Sequence, residues 1–207
     1  MFCPIMVDMA NKKILIIGGG RIAYRKANNF LKYQANILVV SPEFIPEFYE
    51  LEKKYKGQIS LIKDTYNKKY IYGSFLVVGA TSSREVNRQI AIDSHQLNVL
   101  CNIVDRREES SFISPGVVDK EGLVISISTK GKFPYLSKRL KEDIDYRYSK
   151  FDEEYMVLLE ELRGIVLSKY KDKSSELFNH SLKLDKSQLK AFISQLKNEN
   201  SHEEVQD

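Results

Sequence analysis

Lys13-Ile14-Leu15-Ile16-Ile17-Gly18-Gly19-Gly20-Arg21-Ile22-Ala23 decides how the rest of the chain is read. A continuous apolar run ending in glycines has the signature of a strand buried on both faces, as in a parallel sheet. The glycines fit G-x-G-x-x-A. In that pattern Gly18 makes the tight turn, Gly20 lets a pyrophosphate approach the backbone, and the small Ala23 allows helix and strand to pack closely. A helix starting at Arg21 would offer free N–H groups and a positive dipole end to phosphates. The string by itself also serves as a structural strand-to-helix turn. The strand before it and the helix after it point to dinucleotide binding.

Working outward, short apolar runs alternate with amphipathic stretches. Asn36 to Val40, Gln58 to Ile62, Phe75 to Ala80 and Asn98 to Val104 read as further strands. Arg21 to Tyr33, Glu43 to Lys56 and Ser83 to His95 read as helices, the last capped by Ser82 or Ser83. Strands alternating with helices imply a parallel sheet, hence a Rossmann-like α/β domain over residues 1–111. The pattern then changes. Phe112 to Val118 and Leu123 to Thr129 alternate as a β-hairpin, and Pro134 to Tyr148 reads as a helix of mixed charge. Residues 112–148 thus form a separate hairpin and helix segment. From Phe151 only helical spacing remains, with Tyr155, Leu158, Leu159, Leu162, Ile165 and Val166 on one face and Leu189, Phe192, Ile193 and Leu196 on another. Residues 149–207 are therefore an all-helical C-terminal region with a polar tail from Asn198.

The chain has 207 residues, 43% hydrophobic and 29% charged, with 32 Lys and Arg against 28 Asp and Glu. That balance excludes disorder throughout, and the small positive charge argues against a strongly acidic partner surface while leaving small anionic substrates open. No apolar run reaches the ~18 residues of a membrane span, and Met1 to Asn11 lacks the regions of a secretory signal. Two cysteines, Cys3 and Cys101, are too few for a disulfide framework, so a cytoplasmic location is expected.

Several positions carry candidate chemistry. In a dinucleotide fold the end of the second strand selects the ribose, and here it reads Ser41-Pro42-Glu43. No cation in this stretch would receive a 2′-phosphate, so NAD is expected over NADP. Glu43 serves equally as the first acid of a helix behind Pro42. Thr81, at the end of the fourth strand, can meet a cofactor's nicotinamide side or help cap the next helix. Asp105 ends the fifth strand at the same crevice. It is a turn former by type, yet its place at the crevice makes it a candidate proton acceptor. Cys101 reads as core. His95, His180 and His202 lack metal-ligand spacing, so no metal site is expected. Lys130, Lys132, Lys138 and Arg139 form a basic cluster that reads as a solvated face, and no basic tract interleaved with aromatics points to nucleic acid.

From Pro4 to about Ser149 the chain resembles the precorrin-2 dehydrogenase family, including the N-terminal module of sirohaem synthases. The resemblance rests on Pro4-Ile5-Met6-Val7, the run Gly18 to Ala27, Ala80-Thr81-Ser82-Ser83-Arg84-Glu85-Val86-Asn87 and Cys101-Asn102-Ile103-Val104-Asp105. Ser110 to Gly116 and Ile125-Ser126-Ile127-Ser128-Thr129 complete it. It departs at Lys130-Gly131-Lys132-Phe133-Pro134, where family members often run Gly-Gly-x-Ser-Pro.

The resemblance implies NAD-dependent oxidation of precorrin-2 to sirohydrochlorin by a homodimer that exchanges its hairpin and following helix. It implies Asp105 as catalytic and places Arg21, Ile22, Pro42 and Glu43 against NAD. It also sets Ser128 beside the tetrapyrrole. Lys130, Lys132 and Arg139 would hold the carboxylates of such a substrate by charge-assisted hydrogen bonds. Some members also insert iron, which needs a base to strip pyrrole protons, and Asp105 has no His near it in sequence for that role. Two other readings share these residues: a different NAD-dependent oxidoreductase, or a non-enzymatic NAD-sensing module. The sensor would need a basic recognition helix. Glu153, Glu154, Glu160 and Glu161 crowd the C-terminal region instead.

Overall fold

The computed structural model describes residues 2–120 and 122–198. The chain divides between Ser114 and Pro115 into two compact units.

In the first unit, β1 (Lys13–Ile17), α1 (Arg21–Leu31), β2 (Asn36–Ser41), α2 (Glu47–Lys54), β3 (Ile59–Lys63), β4 (Leu76–Gly79), α3 (Arg84–Gln96) and β5 (Leu100–Ile103) follow in order. All five strands pair in parallel, in the order β3-β2-β1-β4-β5. The inner strands β1, β2 and β4 are mostly apolar on both sides because each face is covered. Ile14, Ile16, Val39 and Val78 pack with Ala23, Ala27 and Leu31 of α1 and Phe48 and Leu51 of α2. Leu15, Ile17, Val40 and Val77 face the other way, onto Ile71 and onto Ile90 and Ala91 of α3. The result is the expected doubly wound sheet. The order reverses between β1 and β4, and at such a switch point the loops leaving the strands' carboxyl ends open a crevice.

One helix begins later than its sequence implies. Glu43 to Lys56 read as a single helix, yet α2 starts at Glu47. The Ile45 N–H donates to the Gly19 carbonyl at 3.0 Å, which draws residues 42–46 across the glycine turn. Pro46 then opens the helix, with Glu47 and Glu50 in its first turn. Glu43 is therefore not a helix-leading acid. The cap expected for α3 is present, with Ser83 accepting from the Val86 N–H at 3.3 Å.

In the second unit β6 (Gly116–Asp119) and β7 (Val124–Ile127) pair antiparallel. Then come α4 (Pro134–Arg147), α5 (Glu153–Lys169), α6 (Ser174–Ser181) and α7 (Lys186–Asn198). Tyr155, Leu158, Leu162 and Val166 of α5 bury against Leu189, Ile193 and Leu196 of α7. The Tyr155 hydroxyl, inside this core, bonds to the carbonyls of Ser181 and Leu184 at 3.1 and 2.9 Å. By contrast α4 buries none of its residues. The polar tail beyond Asn198 lies outside the described residues. Among the described residues no helix is long and apolar enough to cross a membrane.

Candidate functional site

The loops leaving β1, β2, β4 and β5 meet at the switch point, and the glycine turn is its floor. Gly18 has φ +124°, and a β-carbon on it would lie 2.3 Å from the Ala80 carbonyl oxygen. A β-carbon on Gly19 would lie 1.9 Å from the Glu43 carbonyl oxygen and 2.9 Å from the Ser41 Oγ. These two glycines let the ends of β1, β2 and β4 come together. Gly20 is different. A β-carbon there meets nothing within 4 Å, so its surface faces open space.

Gly20 is also the N-cap of α1, and no side chain caps that end. The first turn holds no acid and presents the exposed Arg21 and Ile22, while Ala23 is fully buried beneath them. Free amides, a dipole end and unfilled space over Gly20 are what a pyrophosphate requires, so the residues fit a dinucleotide. On the β2 side Ser41 is buried, and Pro42 and Glu43 are exposed. The β2–β3 register sets Lys63 opposite Ser41, a neighbouring cation that the β2 sequence does not disclose.

At the β4 and β5 ends, sequence reasoning marked Thr81 and Asp105 but not the residue that joins them. Asn87 of α3 is 1% exposed. Its Oδ1 accepts from the Thr81 N–H at 3.1 Å and from the Thr81 hydroxyl at 2.8 Å. Its Nδ2 donates to the Thr81 carbonyl at 3.1 Å and to Asp105 Oδ1 at 3.1 Å. The signal for it was a polar side chain on the face of α3 that carries Ile90 and Ala91.

The Asp105 side chain is 39% exposed, open enough to reach a substrate. The Arg84 guanidinium lies 4.0 Å from its Oδ2 and pairs closely with Glu109, whose hydrogen bond raises the Arg84 pKa above its ordinary value. Asp105 therefore stands beside a fixed positive charge. Cys101 is fully buried, as expected of a core residue.

Lys26 of α1 donates to the Ser114 hydroxyl at 2.8 Å. Burial and then the neighbouring Arg25 lower its pKa from 10.5 to about 8. Nothing in the sequence marks this pair.

The remaining candidates lie in the second unit. Ser128 Oγ accepts from the Lys130 N–H at 3.0 Å, and Thr129 Oγ1 from the Phe133 N–H at 3.2 Å. These hydroxyls tie the turn that leads into α4. Lys130, Lys132 and Arg139 are exposed, with Arg139 3.6 Å from Glu142. Among the described residues no group of three or more His, Cys, Asp or Glu is placed to hold a metal ion.

Comparison with known proteins sharpens this picture. The family model described as "Putative NAD(P)-binding" matches residues 5–116. Siroheme synthase 3 of Aeromonas hydrophila is 37% identical over 144 residues, which cover 70% of this chain and 30% of that protein. A siroheme synthase of Pseudoalteromonas translucida is 33% identical over the same share of each. The chain thus spans about 30% of the length of these curated relatives. Among solved structures, SirC, a precorrin-2 dehydrogenase, superposes with a TM-score of 0.74 at 27% identity. That likeness covers 95% of this chain and 100% of SirC.

Proposed function

The chain belongs to the precorrin-2 dehydrogenase family, and from that premise we propose that it oxidises precorrin-2 to sirohydrochlorin with NAD, on the route to sirohaem. The observation that carries this reading is the placing of Asp105. It stands at the end of β5, joined through Asn87 to the turn after β4, on the same rim as the open Gly20.

The oxidation takes a hydride and a proton from the substrate. NAD, when bound, supplies the hydride acceptor. The amides of Gly20, Arg21 and Ile22 at the start of α1 hold its pyrophosphate, with Gly18 and Ala23 shaping the turn beneath. Thr81 lines the nicotinamide side, and Ser41, Pro42 and Glu43 line the ribose. Asp105 takes the proton as the hydride leaves the neighbouring carbon, which balances the step. Ser128, Lys130, Lys132 and Arg139 bind the acidic side chains of precorrin-2, since their exposed cations suit a polycarboxylate.

A preference for NAD over NADP is supported by the exposed Glu43 carboxylate, which would repel a 2′-phosphate, and opposed by Lys63 on β3, across from Ser41. Side-by-side titrations in which NADP binds as tightly as NAD would defeat that preference. The protein acts as a homodimer through residues 112–148, a reading supported by α4, which buries none of its residues fully. It works in the cytoplasm, where Cys3 and Cys101 stay reduced.

Anaerobic incubation with precorrin-2 and NAD tests the activity. Matching growth of NADH and sirohydrochlorin absorbance is expected. Cofactor binding with neither product would favour a sensing module, and reduction of NAD by another substrate alone would favour a different oxidoreductase.

A further inference from the structure

The turn after β4 and the carboxylate after β5 are fastened by one buried side chain. An asparagine amide offers two N–H donors and an oxygen with two lone pairs. Asn87 uses all four, three of them on Thr81 and the fourth on Asp105. A pin between α3 and the turn that precedes it would need only the three bonds to Thr81. The fourth goes to a carboxylate that is 39% exposed and that water would otherwise solvate. That bond is not needed to satisfy Asp105. It sets the direction in which the carboxylate points.

We propose that Asn87 is a positioning residue for the oxidation, resting on the reading of Asp105 as the proton acceptor. It binds the Asp105 carboxylate to the main chain of Thr81, so that the group taking the proton and the turn facing the nicotinamide move as one body. Arg84 cannot do this alone. Its Nε stands 4.0 Å from Asp105, beyond hydrogen-bonding range, and its close partner is Glu109. An arrangement of this kind holds reacting groups at a fixed separation, and misplacing one by about 1 Å costs on the order of 10²-fold in rate.

The test uses the full chain with Asn87→Asp, Asp105→Asn and the pair exchanged between the two positions. Asn87→Asp keeps an acceptor for both Thr81 donors but turns an oxygen toward Asp105 Oδ1 and toward the Thr81 carbonyl. Turnover at saturating NAD should fall by about 10-fold to 100-fold, while the NAD dissociation constant stays within about threefold. Added to Asp105→Asn, the same change should cost several-fold less turnover than it does in the wild type, the remainder being the lost bond to the Thr81 carbonyl. The exchanged pair should recover part of the thermal midpoint lost by Asn87→Asp, because an amide at position 105 then donates to a carboxylate at position 87 while the Thr81 carbonyl stays without its donor.

A residue that only holds the fold behaves differently. Its loss would lower turnover by the same factor with or without the Asp105 carboxylate. That equal cost, or a folded Asn87→Asp with near wild-type turnover, overturns the proposal. Should Asn87→Asp fail to fold, Asn87→Ser carries the same comparison, since its hydroxyl is too short to reach Asp105. If the wild-type protein does not oxidise precorrin-2, the functional reading has failed on its own. The midpoints then decide the pairing, and an exchanged pair no more stable than the sum of the single losses overturns it.

Discussion

Gly18 and Ala80 stand so close that a β-carbon on Gly18 would lie 2.3 Å from the Ala80 carbonyl oxygen. The approach joins the turn after β1 to the end of β4 at the point where the strand order reverses. It also requires φ +124° at Gly18, a conformation that side chains other than hydrogen resist. Gly18→Ala should therefore cost several kcal/mol through strain and collision together, and thermal melting would show it. Gly20→Val makes the contrast. Its backbone is ordinary, and its β-carbon meets no protein atom. That variant should melt close to the wild type yet lose NAD affinity by about tenfold or more, because the added side chain fills the pyrophosphate's approach. A Gly20→Val protein that binds NAD normally would remove the glycine turn from the cofactor site.

Lys26 gives the fold a pH dependence of known sign. Burial, and then Arg25, lower its pKa from 10.5 to about 8. Below about pH 8 the amine is charged both folded and unfolded, and the cost of burying that charge is fully present. Between about 8 and 10.5 the folded protein releases the proton while the unfolded chain keeps it, so stability rises with pH across this window. Lys26→Met never carries the charge. Its thermal midpoint relative to the wild type should be highest at or below pH 8 and should decline toward pH 10.5. Melts over that range check it, and a difference that stays constant or widens contradicts the assignment.

Lys130 adopts φ +54°, left-handed backbone that favours glycine. A side chain there costs on the order of 1 kcal/mol, part of which a glycine returns as freedom in the unfolded chain. Lys130→Gly should therefore leave stability unchanged or raise it by up to about 1 kcal/mol, read in a melt. If its ammonium binds an acidic side chain of precorrin-2, the same variant raises KM for precorrin-2 while leaving KM for NAD alone. An unchanged KM would mean that the strain serves no substrate contact.

The doubly wound half was legible because burial on both faces makes its strands continuous apolar runs, and Gly18, Gly20 and Ala23 follow from the geometry of one turn. The hairpin and the helical spacing of Tyr155, Leu158, Leu162 and Val166 were legible for similar reasons. What escaped depends on partners distant in sequence. Asn87 looks like an ordinary helix residue until Thr81 and Asp105, six and 18 positions away, fold around it. Glu43 was misjudged as a possible helix start because nothing in Ser41-Pro42-Glu43 discloses the Ile45 to Gly19 hydrogen bond. Lys26 and Ser114 lie 88 residues apart, beyond the reach of any local pattern.

The second unit leaves α4 without a buried residue, and Tyr135, Leu136, Leu140 and Tyr146 lie exposed along it. A two-stranded hairpin is marginal by itself and gains from a covering surface. Sedimentation at micromolar concentration should show a dimer. Leu136→Asp with Leu140→Asp, one turn apart on α4, should yield a monomer whose circular dichroism is unchanged, since neither side chain supports the core. A monomeric wild type with full activity would refute the assembly.

Asp105 is the proposed proton acceptor. Asp105→Asn keeps the size of the side chain and an oxygen to accept from Asn87, but removes the charge and the proton acceptor. As the base, Asp105 makes this change cost about 10²-fold or more in precorrin-2 oxidation, the usual scale for general base catalysis. The NAD dissociation constant should barely move, because the phosphates rest on the turn after β1 and not on the end of β5. Stability should also hold, since Asn suits a turn as well as Asp does. A turn-forming Asp without a chemical role predicts the same cofactor affinity and the same stability with nearly full turnover. The readings separate on turnover alone, with cofactor affinity and melting temperature as internal controls. Near wild-type oxidation by Asp105→Asn would mean that the proton leaves by another route, and Arg84, held beside Asp105 by Glu109, could not supply it because a guanidinium stays protonated in proteins.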